Sequence, residues 1–171
     1  MAKGKLADLE EVNAITQQIV TNVFECEDAL GIITLLKEDD NYLLEHSINC
    51  AVLMVMFARS LSIDTSLLQH LGAGALLMDI GMVKLPLLLT HKADSLSAKE
   101  IQQMQRHVDI ALSLVEPIDK INELTLTIIK EHQERIDGSG YPEGLSGEQI
   151  SLYGRMAAIV DTYDSLTTTR P

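Results

Sequence analysis

Five histidine and aspartate side chains fall on the inward, apolar sides of predicted helices. Imidazole and carboxylate ligands together suit Fe, Mn or Zn, and an aspartate can bridge two metals for attack on a phosphoester. Carboxylates are seldom buried without a partner, and a cation can hold several at once. Core packing also explains a buried histidine, so spacing alone leaves a metal site and satisfied core residues as open alternatives. The five residues are His46, Asp79, His107, His132 and Asp161.

A glycine-rich loop follows His132 and separates it from the helix that carries Asp161. Turn residues are concentrated in this loop as nowhere else in the chain. Helix termination and turn chemistry alone would explain the Asp-Gly pair and the next glycine. The loop residues of interest are Asp137, Gly138, Gly140, Tyr141 and Pro142.

The elements that must position these side chains are helices. Apolar residues recur at three- and four-residue steps, and no convincing strand or repeat is found. Ser97 and Glu100 form a capping box that opens one of the helices. The sequence therefore predicts a single all-α domain of about seven helices. The predicted helices cover about 9–23, 27–36, 42–61, 66–80 and 97–115, one ends near 133, and the last covers 150–167.

Composition limits the classes of function. The chain has 171 residues and a net charge of −12, which argues against a DNA- or RNA-binding surface. Cys26 and Cys50 have no motif spacing and are interpreted as buried, reduced thiols. No signal peptide is visible, and uncharged stretches such as 65–78 are shorter than the roughly 20 apolar residues of a membrane span. We expect a cytoplasmic location and no membrane span.

The run from His132 to Pro142 reads His-x-x-x-x-Asp-Gly-x-Gly-Tyr-Pro. It resembles the signature of the HD-GYP family, whose members are metal-dependent phosphodiesterases acting on the bacterial second messenger cyclic di-GMP. The segments around Asp79, His107 and Asp161 resemble further parts of that family, so the resemblance extends from about Tyr42 to the end of the chain. It implies an all-α fold of the HD superfamily, and it favours a loop that faces a ligand or a partner.

The resemblance implies roles for individual residues. Tyr141 and Arg170 fall where the family contacts its substrate, and Asp79 is the implied catalytic residue. The implied cofactor is one or two ions of Fe or Mn, with no metal as the open alternative. The implied ligand is cyclic di-GMP or a related dinucleotide. The implied metal ligands are His46, Asp79, His107, His132 and Asp161.

The chain also departs from the family pattern. Met78 replaces the histidine of the paired His-Asp, and Gln133 replaces the second histidine of an adjacent pair. Met82 stands where the family has a lysine that would contact phosphate. A thioether suits Fe, Mn or Zn poorly, and an amide is a neutral replacement for imidazole. By the family's arrangement two reduced ligand sets remain. One keeps His46, Asp79 and Asp161 and has lost its histidine at 78, and the other keeps Asp79, His107 and His132 and has lost its histidine at 133.

These departures define the expected function. The chain is expected to be an HD-GYP-type signalling domain with weak or no hydrolysis of cyclic di-GMP. One alternative is a non-catalytic module that senses the dinucleotide or docks a partner such as a diguanylate cyclase domain. Another is an enzyme with a single metal. We expect residues 1–41 to pack as helices on the core, and 42–171 to form the HD-GYP-like domain, truncated at its carboxyl end. The formation of a homodimer is a further open alternative.

Overall fold

The chain folds as an assembly of helices. A computed structural model describes residues 9–25, 42–90 and 94–168. Over these ranges the only bridge between extended residues joins Asp137 and Ser146, so the all-α prediction is confirmed. The predicted helix 27–36 lies outside the described residues. The α-helices are α1 (Leu9–Glu25), α2 (Tyr42–Ser60), α3 (Thr65–Leu77), α4 (Leu87–Thr90), α5 (Ala98–Gln105), α6 (His107–Val115), α7 (Glu123–Glu131) and α8 (Leu152–Thr167), with 3-10 helices at Ile80–Lys84 and Gly147–Gln149.

Helix α3 is the central element and packs against α1, α2 and α7. Its first turn is capped by Asp64, whose carboxylate accepts a hydrogen bond from the Ser66 backbone N–H at 2.9 Å. Gly74 allows α7 to approach closely, because a Cβ at this position would lie 2.7 Å from the Ile128 side chain. The carboxyl ends of α3 and α7 are consequently held together, and the next residues of both helices enter the candidate site.

The stretch Thr65–Lys84 has the length and apolar composition of a membrane span. Of its most apolar window, 56% is buried inside the protein, where α3 is surrounded by other helices. The central helix of a globular domain has the same features, so its apolar character is explained by the core.

Two predicted helices are broken where the site is built. The single helix expected over 97–115 was wrong: its capping box at Ser97 is present, but the helix divides at Arg106 into α5 and α6. The helix expected over 66–80 ends at Leu77 and turns into the first 3-10 helix. The first 3-10 helix packs closely on α6 because residue 81 is a glycine. A Cβ at this position would collide with the backbone carbonyl oxygen of His107 at the start of α6.

The amino-terminal helix contributes to the same core. Val12 and Ile19 of α1 are buried, and α1 packs on both α2 and α3. The Thr16 hydroxyl is also buried and donates to the Val12 carbonyl at 2.9 Å, so it needs no partner from another element. The proposed division of the chain at residue 41 stays a prediction.

Candidate metal centre

Asp79 lies at the turn between α3 and the first 3-10 helix. Its backbone carbonyl accepts from the Met82 N–H at 2.9 Å, while its carboxylate makes no helix-capping bond. The carboxylate instead points into the bundle, where its two oxygens face different histidines. Oδ1 lies 3.3 Å from His107 Nε2 and 3.7 Å from His132 Nε2, and Oδ2 lies 3.1 Å from His46 Nε2. Asp79 therefore joins two groups of candidate ligands.

The first group is Asp79, His107 and His132, all of them buried. Each imidazole has its Nδ1 at 2.8 Å from a backbone carbonyl, of Met104 and Ile129 respectively. A carbonyl only accepts, so both Nδ1 atoms carry the proton and both Nε2 atoms present a lone pair. Those two Nε2 atoms are 3.2 Å apart. Two lone pairs and a carboxylate oxygen thus converge on one point, and metal-ligating histidines are typically oriented by carbonyls in this way.

Protonation in this group is set by burial and by the neighbouring charges. Burial lowers the pKa of His107, which favours the neutral ring that a metal requires. Burial alone would raise the pKa of Asp79, but the neighbouring histidines hold it well below its usual value. The group therefore offers a carboxylate and a neutral imidazole near neutral pH.

The second group is His46, Asp79 and Asp161. His46 Nε2 lies 3.1 Å from Asp79 Oδ2 and 3.2 Å from Asp161 Oδ1, and its Nδ1 lies 2.7 Å from Asp164 Oδ2. Burial would lower the pKa of His46, but its bonds with Asp161, Asp164 and Asp79 raise it well above the usual value. A proton on His46 thus neutralises carboxylates that could otherwise face a cation.

Asp164 was not among the predicted site residues, although it lies three residues after Asp161 on the same helix. Its Oδ1 accepts from Asn49 Nδ2 at 3.0 Å while its Oδ2 holds the His46 ring. Asp164 therefore orients His46. The signal available in the sequence was the three-residue spacing of the two aspartates, which places both on neighbouring faces of α8.

Met78 and Gln133, which replace histidines of the family pattern, lie in different surroundings in the structure. Met78 is fully buried as a member of the hydrophobic core. The Gln133 amide donates through Nε2 to Asp161 Oδ2 at 3.0 Å. The resemblance counted Gln133 as a loss from the set of Asp79, His107 and His132, but the structure places its amide on a carboxylate oxygen of the second group. The substitutions therefore weaken the second group more than the first.

The loop after α7 carries Tyr141 to the first group of ligands. The Tyr141 ring meets the His107 ring edge-on, with 6.1 Å between centroids. Burial raises the pKa of Tyr141, and the charges of Asp79 and Asp161 raise it further, so its phenol stays protonated near neutral pH. Tyr141 therefore lies against His107 with its phenol protonated.

Glu134 holds this loop in place and was missed by sequence reasoning. It is only 2% exposed, and its carboxylate oxygens accept from the backbone N–H groups of Glu143 at 2.8 Å and Leu145 at 2.9 Å. Gly140 packs so closely against the Glu134 backbone that no Cβ would fit. A buried carboxylate with only backbone donors needs the folded loop to satisfy it. Its position directly after His132 and Gln133 was the available signal.

Other loop residues serve the turn itself. Asp137 accepts from the Ser139 N–H at 3.0 Å and from the Ser139 hydroxyl, and these bonds lower its pKa. Gly138 has φ of +80°, in the left-handed region that favours glycine. Pro142 is exposed. For Asp137 and Gly138 the turn explanation left open by the sequence is therefore sufficient.

Glu131 is a further carboxylate next to His132 in the chain, and its role is structural. It accepts from the Ser151 N–H at 2.9 Å at the start of α8 and lies outside both ligand groups. Arg170, the predicted phosphate contact, lies outside the described residues. The five predicted metal ligands do come together in space, but metal binding by them stays a prediction.

The chain is similar to known proteins over most of its length. The HD domain family matches residues 32–171. The chain is 33% identical over 168 residues to a cyclic di-GMP phosphodiesterase of Pseudomonas aeruginosa, covering 98% of this chain and 41% of that protein. It is 29% identical over 143 residues to the 3'3'-cGAMP-specific phosphodiesterase 1 of Vibrio cholerae, covering 84% and 33%.

The fold is also found among solved structures. An HDGYP protein from Bdellovibrio bacteriovorus superposes with a TM-score of 0.80 at 24% identity, covering 94% of this chain and 54% of that one. This likeness is one of fold. The chain spans less than half the length of the curated relatives it matches. With most of its length matched, the chain belongs to the HD domain family, and its homologues include proteins named cyclic di-GMP phosphodiesterases.

Proposed function

We propose that this domain binds one Fe or Mn ion through Asp79, His107 and His132 and uses it to bind a cyclic dinucleotide, with weak or no hydrolysis. The observation that carries the proposal is the convergence of two Nε2 lone pairs and the Asp79 carboxylate. Two imidazoles and one carboxylate are a donor set suited to Fe or Mn. A bound ion would supply Lewis acidity toward a phosphodiester oxygen. The names of the relatives support cyclic di-GMP or 3'3'-cGAMP as the class of ligand.

Weak hydrolysis follows from the state of the second group. Gln133 already donates to Asp161, and His46 fits its carboxylates as a protonated ring. A second ion would have to displace that proton with fewer ligands than the family provides. Met82 also leaves the reaction site without the family's lysine. The remaining residues can orient a phosphodiester, but they lack one of the two metals that would hold the attacking and leaving oxygens.

The proposal is tested by metal content and turnover together. Anaerobically purified protein should contain about one Fe or Mn per chain by elemental analysis, as one complete three-ligand group predicts. It should bind cyclic di-GMP at micromolar concentration and hydrolyse it far more slowly than the Pseudomonas aeruginosa relative assayed beside it. Absence of both metal and dinucleotide binding would reject the proposal. Turnover equal to that of the relative would reject the statement on hydrolysis.

A second candidate is a docking module for a protein partner such as a diguanylate cyclase domain. The observation in its favour is that Glu134 fixes the loop around Tyr141 while Pro142 and Glu143 stay exposed. Titration of a purified diguanylate cyclase domain, with and without cyclic di-GMP, separates the candidates. Partner binding that is lost on Pro142→Ala and independent of metal would favour docking. Partner-independent binding of the dinucleotide would favour the first candidate.

A further inference from the structure

Arg135 places a positive charge at the edge of the candidate metal centre. Its Nη2 lies 3.5 Å from Gln133 Oε1, and the same amide donates to Asp161 Oδ2 at 3.0 Å. The guanidinium is therefore separated from a candidate ligand by a single side-chain amide. Tyr141 is held at the same turn, because its backbone N–H donates to the Gln133 carbonyl at 3.2 Å. Arg135 and Tyr141 thus border the same site.

The side chain is oriented rather than free. Nη1 donates to the backbone carbonyls of His132 at 3.2 Å and Glu134 at 3.0 Å, which fixes the guanidinium plane against the turn that ends α7. A guanidinium has five N–H donors, and these contacts use three of them. Within the part of the chain that the structure describes, the donors that remain are on Nε and Nη2. These two nitrogens share one edge of the plane, the arrangement that pairs with two oxygens of a phosphate.

The charges of the site leave a role for such a cation. The net charge of the chain is −12, and the carboxylates of Asp79, Asp161 and Asp164 surround His46. A protonated His46 and one divalent ion would only offset these three carboxylates, so the centre has no net positive charge to attract an anionic phosphodiester. Met82 supplies none at the position where the family's lysine would stand. Arg135 is half-buried, so part of its side chain is accessible to a ligand.

We infer that Arg135 is a phosphate-binding residue of this centre, which contacts two oxygens of the phosphodiester through its Nε and Nη2 edge. The inference rests on the proposed function, because it assigns the ligand's phosphate to the rim between Arg135 and Tyr141. The competing explanation is purely structural: Arg135 would do no more than bind the carbonyls at the end of α7. The two explanations are distinguished by measuring the anion affinity of Arg135 variants whose metal content and stability are unchanged.

The experiment uses the full chain loaded with Mn²⁺ and two probes, inorganic phosphate and cyclic di-GMP. Phosphate binding is followed by paramagnetic broadening of its phosphorus resonance, and dinucleotide binding by calorimetry. The variants are Arg135→Gln, which removes the charge, and Arg135→Lys, which keeps it without the paired donors. Lys99→Gln is the matched control, because Lys99 is exposed in the first turn of α5. Metal content and melting temperature are measured for every variant.

Arg135→Gln should weaken both probes by about tenfold or more, the usual effect of losing a hydrogen bond to a charged group. Arg135→Lys should lie between this variant and the wild type, with unchanged Mn content, and Lys99→Gln should match the wild type. Wild-type affinity in Arg135→Gln would overturn the inference, as would losses that only follow lost metal or stability. If the wild type binds phosphate but not the dinucleotide, the proposed function fails, and the phosphate series still decides on Arg135. Binding of neither probe would reject both.

Discussion

Asp79 is the residue on which both candidate ligand groups depend. One oxygen faces His107 and His132, and the other faces His46, so a single carboxylate contacts histidines from three helices. Its position at a turn, rather than within α3, frees the side chain from any capping bond. The chemistry of the centre is therefore most sensitive to this side chain.

Asp79→Asn should abolish metal binding. The amide keeps the shape of the carboxylate but has no negative charge, and one of its two heteroatoms cannot ligate. Metal affinity should fall by at least about a hundredfold, since changes to residues that only support ligands cost roughly 10–100-fold. Elemental analysis after dialysis measures it. Asp109→Asn, on the exposed side of α6, is the control. A wild-type metal content in Asp79→Asn would exclude Asp79 as a ligand.

Gln133→His should raise the metal content above that of the wild type. The imidazole would replace an amide that now donates to Asp161, and so restore a ligand beside the second group. Gln102→His, exposed on α5, controls for an added histidine. Adding Met78→His to Gln133→His tests full restoration, but Met78 is wholly buried in the core, where an unpaired imidazole costs about 1–3 kcal/mol. An unchanged metal content in both variants would mean that the second group cannot be rebuilt.

At the scale of elements, the site is assembled from helix ends and breaks. Asp79 follows α3, His107 begins α6 after the break at Arg106, and His132 is the cap of α7. Backbone groups at helix ends lack partners within the helix, which leaves carbonyls free to orient imidazoles. The loop after α7 extends this arrangement, because Glu134 binds its backbone and so places Tyr141.

Glu134→Gln should loosen the loop while leaving the ligand groups intact. An amide accepts through one oxygen only, and its NH2 would face a backbone N–H that has lost its acceptor. The free energy of unfolding in urea should fall by about 1–3 kcal/mol. Metal content should stay unchanged, and dinucleotide affinity should fall. Glu148→Gln, exposed in the same loop region, should change stability by less than about 0.5 kcal/mol. A loss of metal in Glu134→Gln would show that its effect reaches the ligands.

At the scale of the whole molecule, the candidate ligands connect parts of the chain that are far apart in sequence. His46 and Asp79 are separated by 33 positions, and His107 and His132 by 25. A metal held by Asp79, His107 and His132 therefore couples the carboxyl ends of α3 and α7 and the start of α6 through one point. The free energy of metal binding at such a centre therefore adds to the free energy of folding, since the unfolded chain has no preformed site.

Added Mn²⁺ or Fe²⁺ should raise the melting temperature. At a free metal concentration one hundred times the Kd, the stabilisation should be about 2.7 kcal/mol. Because burial lowers the pKa of His107, this ring stays neutral below the ordinary histidine value of 6.5, so the increment should persist at pH 6.5 and be lost at lower pH. Calorimetric melts over a range of pH measure it. An increment lost already above pH 6.5 would contradict the assignment of His107.

Hydrophobic periodicity predicts which side of each helix faces the core, and this much of the fold could be predicted from the sequence. The inward faces of Leu71 and Ala75, and of Ile128 and His132, are local properties of a 3.6-residue repeat, and these residues are buried as predicted. Asp79 is also buried, but it lies beyond the end of α3 rather than on a helical face. The break at Arg106 was not predicted, because the capping signal at Ser97 and the apolar pattern beyond it are both compatible with one continuous helix. Contact between Gly81 and the His107 carbonyl, which is a tertiary feature, accompanies that break.

The sequence by itself determined that ligand-type side chains face the core, that the loop at Gly138 turns, and that Met78 and Gln133 depart from the family pattern. Only the tertiary structure decided which groups meet. Asp79 lies between His46 on one side and His107 and His132 on the other, and Asp164 contacts His46. Gln133 donates to Asp161, and Glu134 accepts from the loop backbone. The physical reason is that a side chain's direction on its helix is fixed locally. Its partner depends on the angle and depth at which distant helices pack, and these are set by contacts such as Gly74 on Ile128.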